Sequence, residues 1–167
     1  ALTGTLQSFD NSRVAACLAA RKIMNSDCGL SDFPQTPPTF LTTLRSQGLC
    51  TERDSTKTLN KHRYLLDIDG NTSSWQRFWL IGTFGGVPIR FETKWVEYWH
   101  KNIEEGKHFL YANRDTLSEI VDFLRKNPEK AMSVANNASE FIRNELSPAC
   151  AQKSFEEAWL GRIHSRC

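Results

Sequence analysis

Long apolar runs, an excess of charge of one sign and metal-binding spacings are all missing from this 167-residue chain, and each absence closes a class of function. The longest charge-free stretches, Phe33 to Leu44 and Phe78 to Ile89, have twelve residues each and carry Pro or Gly. Neither can span a bilayer. Basic side chains number 21 against 19 acidic ones, a net +2, so composition makes no case for nucleic acid or an anionic membrane surface as partner. Cys17, Cys28, Cys50, Cys150 and Cys167 stand too far apart for CxxC metal spacing, and an odd number cannot all pair within the chain. Free thiols and one or two disulfides of a lumenal protein both stay open. His62, His100, His108 and His164 show no HxxxH or HxH spacing, which argues against a metal cluster. The opening Ala1-Leu2-Thr3-Gly4-Thr5 has no initiator Met, basic region or apolar stretch, and reads as a processed or cut end.

What is present is a chain 40% hydrophobic and 24% charged, long enough to bury a core as one domain over residues 1–167. Residues 1–11 read as an opening loop, and Ser12 to Lys22 as a helix that Ser12 caps. Asn25 to Thr43, with Pro34, Pro37 and Pro38, reads as irregular, and Thr51 to Lys61 as charged and at best helix-compatible. Tyr64 to Asp69 is a short strand broken by Gly70-Asn71. A helix is expected from Ser73 or Ser74 through Ile81, then a strand from Gly85 to Phe91. The pattern repeats with Trp95 to Trp99 as helix, His108 to Ala112 as strand and Leu117 to Leu124 as helix. Asn127-Pro128 caps and opens a further helix with apolar Ala131, Val134, Ala135, Ala138, Phe141, Ile142 and Leu146. Residues 148–167 read as a tail helix. This alternation predicts an α/β fold with a short parallel sheet flanked by helices.

The richest chemistry lies in Leu65-Leu66-Asp67-Ile68-Asp69-Gly70-Asn71-Thr72-Ser73-Ser74-Trp75-Gln76-Arg77-Phe78. A Gly and four small polar residues between strand and helix offer backbone N–H groups at a positive helix end, where a phosphate can sit. Arg77, one turn into that helix, adds a guanidinium fork for a diphosphate. A plain capped turn with a surface Arg accounts for the same residues, and neither the Walker loop nor the dinucleotide glycine pattern is matched. Asp67 and Asp69 fit a metal-binding pair on one strand face. They also fit the first motif of a haloacid-dehalogenase-like, Mg-dependent phosphatase with Asp67 as nucleophile. The later acidic pair such an enzyme needs is missing, since Asp115 and Asp122 stand alone. Trp75, Trp79, Trp95 and Trp99 fall near helical spacing and read as core. His108 reads as structural.

The strand Tyr64 to Asn71, followed by Ser74, Arg77-Phe78 and Gly85, resembles the signature of glycosyltransferase family 90, the capsule-associated and protein O-glucosyltransferase-like enzymes. Trp95-Val96-Glu97-Tyr98-Trp99 is similar to that family's aromatic-flanked Glu segment, and His108-Phe109-Leu110 to its next strand. The resemblance spans about residues 12 to 147. It departs in one extra residue between Gly70 and Arg77, in Glu105 for a usual Pro, and in Phe109 for a usual Tyr. The family's Trp-Arg-Gly segment and upstream lobe have no counterpart here.

The resemblance implies a Rossmann-like domain like the C-terminal, donor-binding lobe of a GT-B enzyme, as a fragment of a two-lobed protein inactive on its own. It implies inverting transfer from a nucleotide sugar, UDP-glucose or UDP-xylose, to a hydroxyl on protein or glycan, without metal or other cofactor. Donor contacts carry over to Gly70, Asn71, Thr72, Ser73, Ser74, Arg77, Arg13 and Thr3, with Glu97 near the nucleotide and the catalytic base in the upstream lobe. A non-catalytic sugar-nucleotide-binding fragment is the alternative within this reading. Relatives work in the endoplasmic reticulum or Golgi lumen in eukaryotes and on the cytoplasmic side in bacteria, and these residues decide neither.

Overall fold

The computed structural model describes residues 6–33, 36–52, 56–74 and 76–164. Thr3, Trp75 and Cys167 lie outside them. Three parallel strands, β1 (Tyr64–Asp67), β2 (Val87–Phe91) and β3 (Leu110–Ala112), lie side by side in the order β1-β2-β3. Tyr64 pairs with Val87 and Ile89 with Leu110. All five residues of β2 are buried, which is why this central strand reads as an apolar run rather than an alternating one. Pro88 is tolerated there because Val87 donates its N–H to Arg63 O at 2.8 Å on the β1 side. By alternation the missing donor of Pro88 faces the β3 side, where pairing starts only at Ile89.

Among the described residues there are six α-helices, α1 (Ser12–Ala20), α2 (Pro38–Ser46), α3 (Arg77–Thr83), α4 (Leu117–Lys126), α5 (Pro128–Glu145) and α6 (Pro148–His164), of which α3, α4 and α5 pack on the sheet. The cap of α1 is Asn11, not Ser12, because its amide oxygen accepts the Arg13 N–H at 3.0 Å. Helix α2 replaces the expected irregular stretch. Pro38 occupies its first turn, where an absent N–H costs nothing. Asn127 precedes α5 as expected, yet its side chain turns back to Phe123 O at 2.8 Å and closes α4 instead.

Trp95 to Trp99 is not a helix. Thr93 Oγ1 accepts the Trp95 N–H at 3.0 Å and His100 Nδ1 accepts the Glu97 N–H at 3.2 Å, so side chains claim donors that a helix would direct along its axis. Only a single 3-10 turn, His100–Asn102, follows. Of the tryptophans described, Trp99 alone is core, stacked on Phe78 at 5.0 Å, while Trp79 and Trp95 are exposed.

The main core joins Val14, Ala16 and Cys17 of α1 to Ile89, Leu110, Leu117, Val121, Leu124, Ala131 and Val134. Each large aliphatic side chain there stabilises the fold by about 1.5–3 kcal/mol. A second cluster, Phe78, Trp99, Phe109, Phe141 and Ile142, locks α3 and α5 against the segment that follows β2. No helix among the described residues is long and apolar enough to cross a membrane.

Candidate functional site

Ligands of parallel α/β sheets bind beyond the carboxyl ends of the strands, and here that end of β1 carries the two aspartates. Asp67 is 2% exposed and forms an ion pair with Arg90, its cross-strand partner, at 2.9 Å. Burial pushes its carboxyl above the usual range, and the Arg90 charge opposes that. A carboxylate so enclosed cannot reach a phosphorus atom, and the phosphatase reading loses its nucleophile. Asp69 is also engaged: Oδ1 accepts the Ser74 N–H at 2.9 Å and Oδ2 accepts the Thr93 hydroxyl. The pair therefore organises two loops. Among the described residues no group of three His, Cys, Asp or Glu is placed to hold a metal ion.

Asp69 thus takes one of the backbone donors expected for a phosphate, that of Ser74. The turn is closed further by Gly70 N–H to Thr72 O at 3.0 Å, and Asn71 and Thr72 stand exposed at its tip. Ser73 donates its hydroxyl to Glu97 Oε1. The structure brings the two together, so Glu97 ties the loop after β2 to the turn after β1. Helix α3 starts at Arg77, not at Ser73 or Ser74, and Gln76 gives it no side-chain cap. With seven residues α3 is a weak dipole. The positive charge at this site comes chiefly from arginine side chains.

Two of them converge. Arg77 donates Nε–H to Leu66 O at 3.1 Å, and Arg13, reaching over from α1, donates Nε–H to Asp69 O at 2.9 Å. Both are half-buried. Desolvation lowers the pKa of each, and for Arg13 the nearby Arg77 charge adds to the lowering after Asp69 has opposed it. Two like charges held together by backbone carbonyls, with their terminal nitrogens as remaining donors, make a natural place for a polyanion. Gly70 makes this possible: a Cβ there would lie 2.7 Å from Arg13 Cζ. A cavity of about 500 Å³ opens beside Arg77, walled by Cys28, Thr51, His62, Tyr64 and Leu66 among others.

The family model "Glycosyl transferase family 90" matches residues 40–152, which include β1, the turn and Arg77. This chain belongs to glycosyl transferase family 90. Human protein O-glucosyltransferase 1 is 26% identical over 88 residues, covering 52% of this chain and 22% of that protein; the mouse protein is 27% identical over the same extent. A structure of Anabaena HepE in complex with UDP-glucose superposes with a TM-score of 0.66 at 12% identity, over 96% of this chain and 48% of that one. The C-terminal domain of the group 1 glycosyl transferase LpcC from Francisella tularensis superposes with a TM-score of 0.53 at 10% identity, over 87% and 86%. The fold is the expected Rossmann-like sheet flanked by helices, resembling the C-terminal lobe of a GT-B glycosyltransferase. The family 90 chain spans about half the length of HepE.

Arg13 lies outside the matched residues of the family model. Three organising residues escaped the sequence reading: Arg90, Thr93 and His100. Arg90 is buried with its guanidinium 5.6, 5.6 and 5.3 Å from the ring centroids of Phe78, Trp99 and Phe109, and it contacts His100 Nε2 at 3.2 Å. The visible signal was a lone charge within the apolar run Val87-Pro88-Ile89-Arg90-Phe91.

Proposed function

We propose that this chain is the donor-binding part of a glycosyltransferase that transfers a sugar with inversion from a UDP-sugar to a hydroxyl on protein or glycan. The observation that carries the reading is the convergence of Arg13 and Arg77 near the carboxyl end of β1, Arg13 over Gly70 on Asp69 O and Arg77 on Leu66 O. The diphosphate lies against the two guanidinium groups and the turn from Gly70 to Ser74. Glu97 holds Ser73 and so sets the shape of the turn. The name of the human relative and the UDP-glucose of the HepE structure support glucose ahead of xylose as the sugar and favour a protein acceptor.

In such a transfer the acceptor oxygen loses its proton to a carboxylate and attacks C1, while the nucleoside diphosphate departs with new negative charge. Fixed cations at the leaving group stabilise the transition state more than the ground state. Arg13 and Arg77 have that role, and two guanidinium groups supply the charge without a metal. The carboxylate base belongs to a lobe outside these residues.

Calorimetric titration of UDP into the protein and its Arg77→Ala and Arg13→Ala variants tests this. Charge-assisted bonds of about 1.5–3 kcal/mol each predict roughly 10- to 100-fold weaker binding in either variant, with no change on adding a chelator. Unchanged affinity in both variants overturns the site.

A further inference from the structure

Two thiols close to the donor arginines have no part in the donor site. Cys17 lies on the buried face of α1, one turn beyond Arg13, and Cys28 lies in the loop that follows. The Cys17 thiol donates to Cys28 O at 3.1 Å, eleven residues further on, which sets the Cys17 sulfur against the residue that carries the second thiol. Arg21 fixes the same segment: its Nε–H reaches Cys28 O at 3.4 Å, while its terminal nitrogens hold Gln47 O at 3.3 Å and Gly48 O. The two sulfurs differ in access. Cys17 is fully buried, whereas Cys28 is half-buried and lines the cavity beside Arg77.

We propose that Cys17 and Cys28 are a redox pair, closing to a disulfide by exchange with an external disulfide that enters through the cavity. Cys28, the accessible thiol, attacks first as its thiolate; the external S–S bond breaks, one external thiol leaves and a mixed disulfide forms on Cys28. The Cys17 thiolate then attacks the Cys28 sulfur and releases the second external thiol. Two protein thiols are oxidised, one external disulfide is reduced to two thiols, and the protons of Cys17 and Cys28 end on those thiols. The Arg21 charge works toward the thiolate at both sulfurs, but contact with Cys17 and burial raise the Cys28 thiol overall while contact with Cys28 lowers that of Cys17, so the first attack quickens as pH rises. Closure ties the helix that presents Arg13 to the wall of the cavity, so it stiffens a segment that a dithiol leaves free to open. Cys50 and Cys150 have no such thiol partner among the described residues.

The experiment needs no nucleotide and is independent of the donor reading. The 167-residue chain is equilibrated in buffers of stepped glutathione disulfide to glutathione ratio, blocked with an alkylating reagent, digested and mapped by mass spectrometry. The expected result is a linked peptide joining Cys17 to Cys28 as the ratio rises, with Tm higher by roughly 5–10 °C than in the reduced chain. Cys28→Ser, a change at a half-buried position, removes the shift. Cys17 and Cys28 both alkylated at every ratio, or linkage to Cys50 in comparable yield, overturns the proposal. Mapping the unsubstituted chain decides the matter even where a variant fails to fold.

Discussion

Arg90 is the residue on which the interior of the site depends. Its charge is buried against Asp67, three aromatic faces surround it, and His100 touches its outer nitrogen. Removing one partner of a buried pair leaves the other charge stranded, at about 3–5 kcal/mol. Arg90→Met should therefore lower the urea midpoint sharply, and the double variant Arg90→Met with Asp67→Leu should recover much of the loss. A double variant no more stable than Arg90→Met would show that the pair is not what the strands are built around. His108 gives the residue scale a pH dependence. It is 7% exposed, its Nδ1 accepts the Glu104 N–H at 3.0 Å, and its pKa is lowered by burial first and by Lys107 next, against Glu104. A histidine depressed in the folded state binds its proton more readily unfolded. The stability it confers is present above the ordinary value of 6.5 and is lost as pH falls through the folded pKa. Melting followed from pH 7.5 down to pH 5 should show this loss, at most about 1.4 kcal/mol per pH unit for one group. His108→Gln keeps an acceptor without a titrating proton, and its melting should depend less on pH. An identical profile would remove His108 from the account.

Between elements, the contact of α3 with α5 is set by Gly82. A Cβ at that position would meet the Ala138 backbone at 3.3 Å as well as the tip of Ile142, and the Ser139 hydroxyl donates to Gly82 O. Gly82→Ala should push the helices apart and cost about 1–3 kcal/mol in chemical unfolding, and with α3 it should displace Arg77. Gly85→Ala is the useful contrast. Its φ of +70° strains any side chain, but nothing lies within 4 Å, so the penalty should be local and nearer 1 kcal/mol. Equal penalties with unchanged UDP affinity in both variants would contradict a tight α3–α5 seat for Arg77. Elements with long apolar periodicity were legible in the sequence: α4 and α5 bury Leu117, Val121, Leu124 and the Ala131-to-Ile142 face in the expected register. Where side chains compete for backbone donors, the pattern misled. Pro37-Pro38 looks like a loop although Pro38 opens α2, and the tryptophan spacing after β2 looks helical although Thr93 and His100 claim the N–H groups. The turn from Gly70 to Ser74 was visible through its small polar residues. Its rigidity was not, because Asp69, Thr93 and Glu97 act on it from 24 residues apart in sequence or only after a local fold back.

At the scale of the whole molecule, two facts together predict how far these residues can go in catalysis. The superposition covers 96% of this chain but 48% of HepE, so about half of that molecule has no counterpart in these residues. The carboxylates that the described residues bring to the turn are already committed: Asp67 to Arg90, Asp69 to Ser74 and Thr93, and Glu97 to Ser73. Each such bond occupies carboxylate oxygens that would have to meet an incoming hydroxyl, so none of the three stands ready as the base. On the proposed reading these residues supply donor binding and leaving-group stabilisation but neither proton removal nor acceptor placement, and placement alone accounts for several kcal/mol of the barrier. Residues 1–167 should bind UDP through Arg13 and Arg77 and still give no acceptor glycosylation when supplied with UDP-glucose or UDP-xylose and hydroxyl-bearing peptides or glycosides. Mass spectrometry of the acceptor checks this. Glycosylated product at about one turnover per second, a rate ordinary for enzymes, would place the base within these residues and make Glu97 the first carboxylate to test by Glu97→Gln.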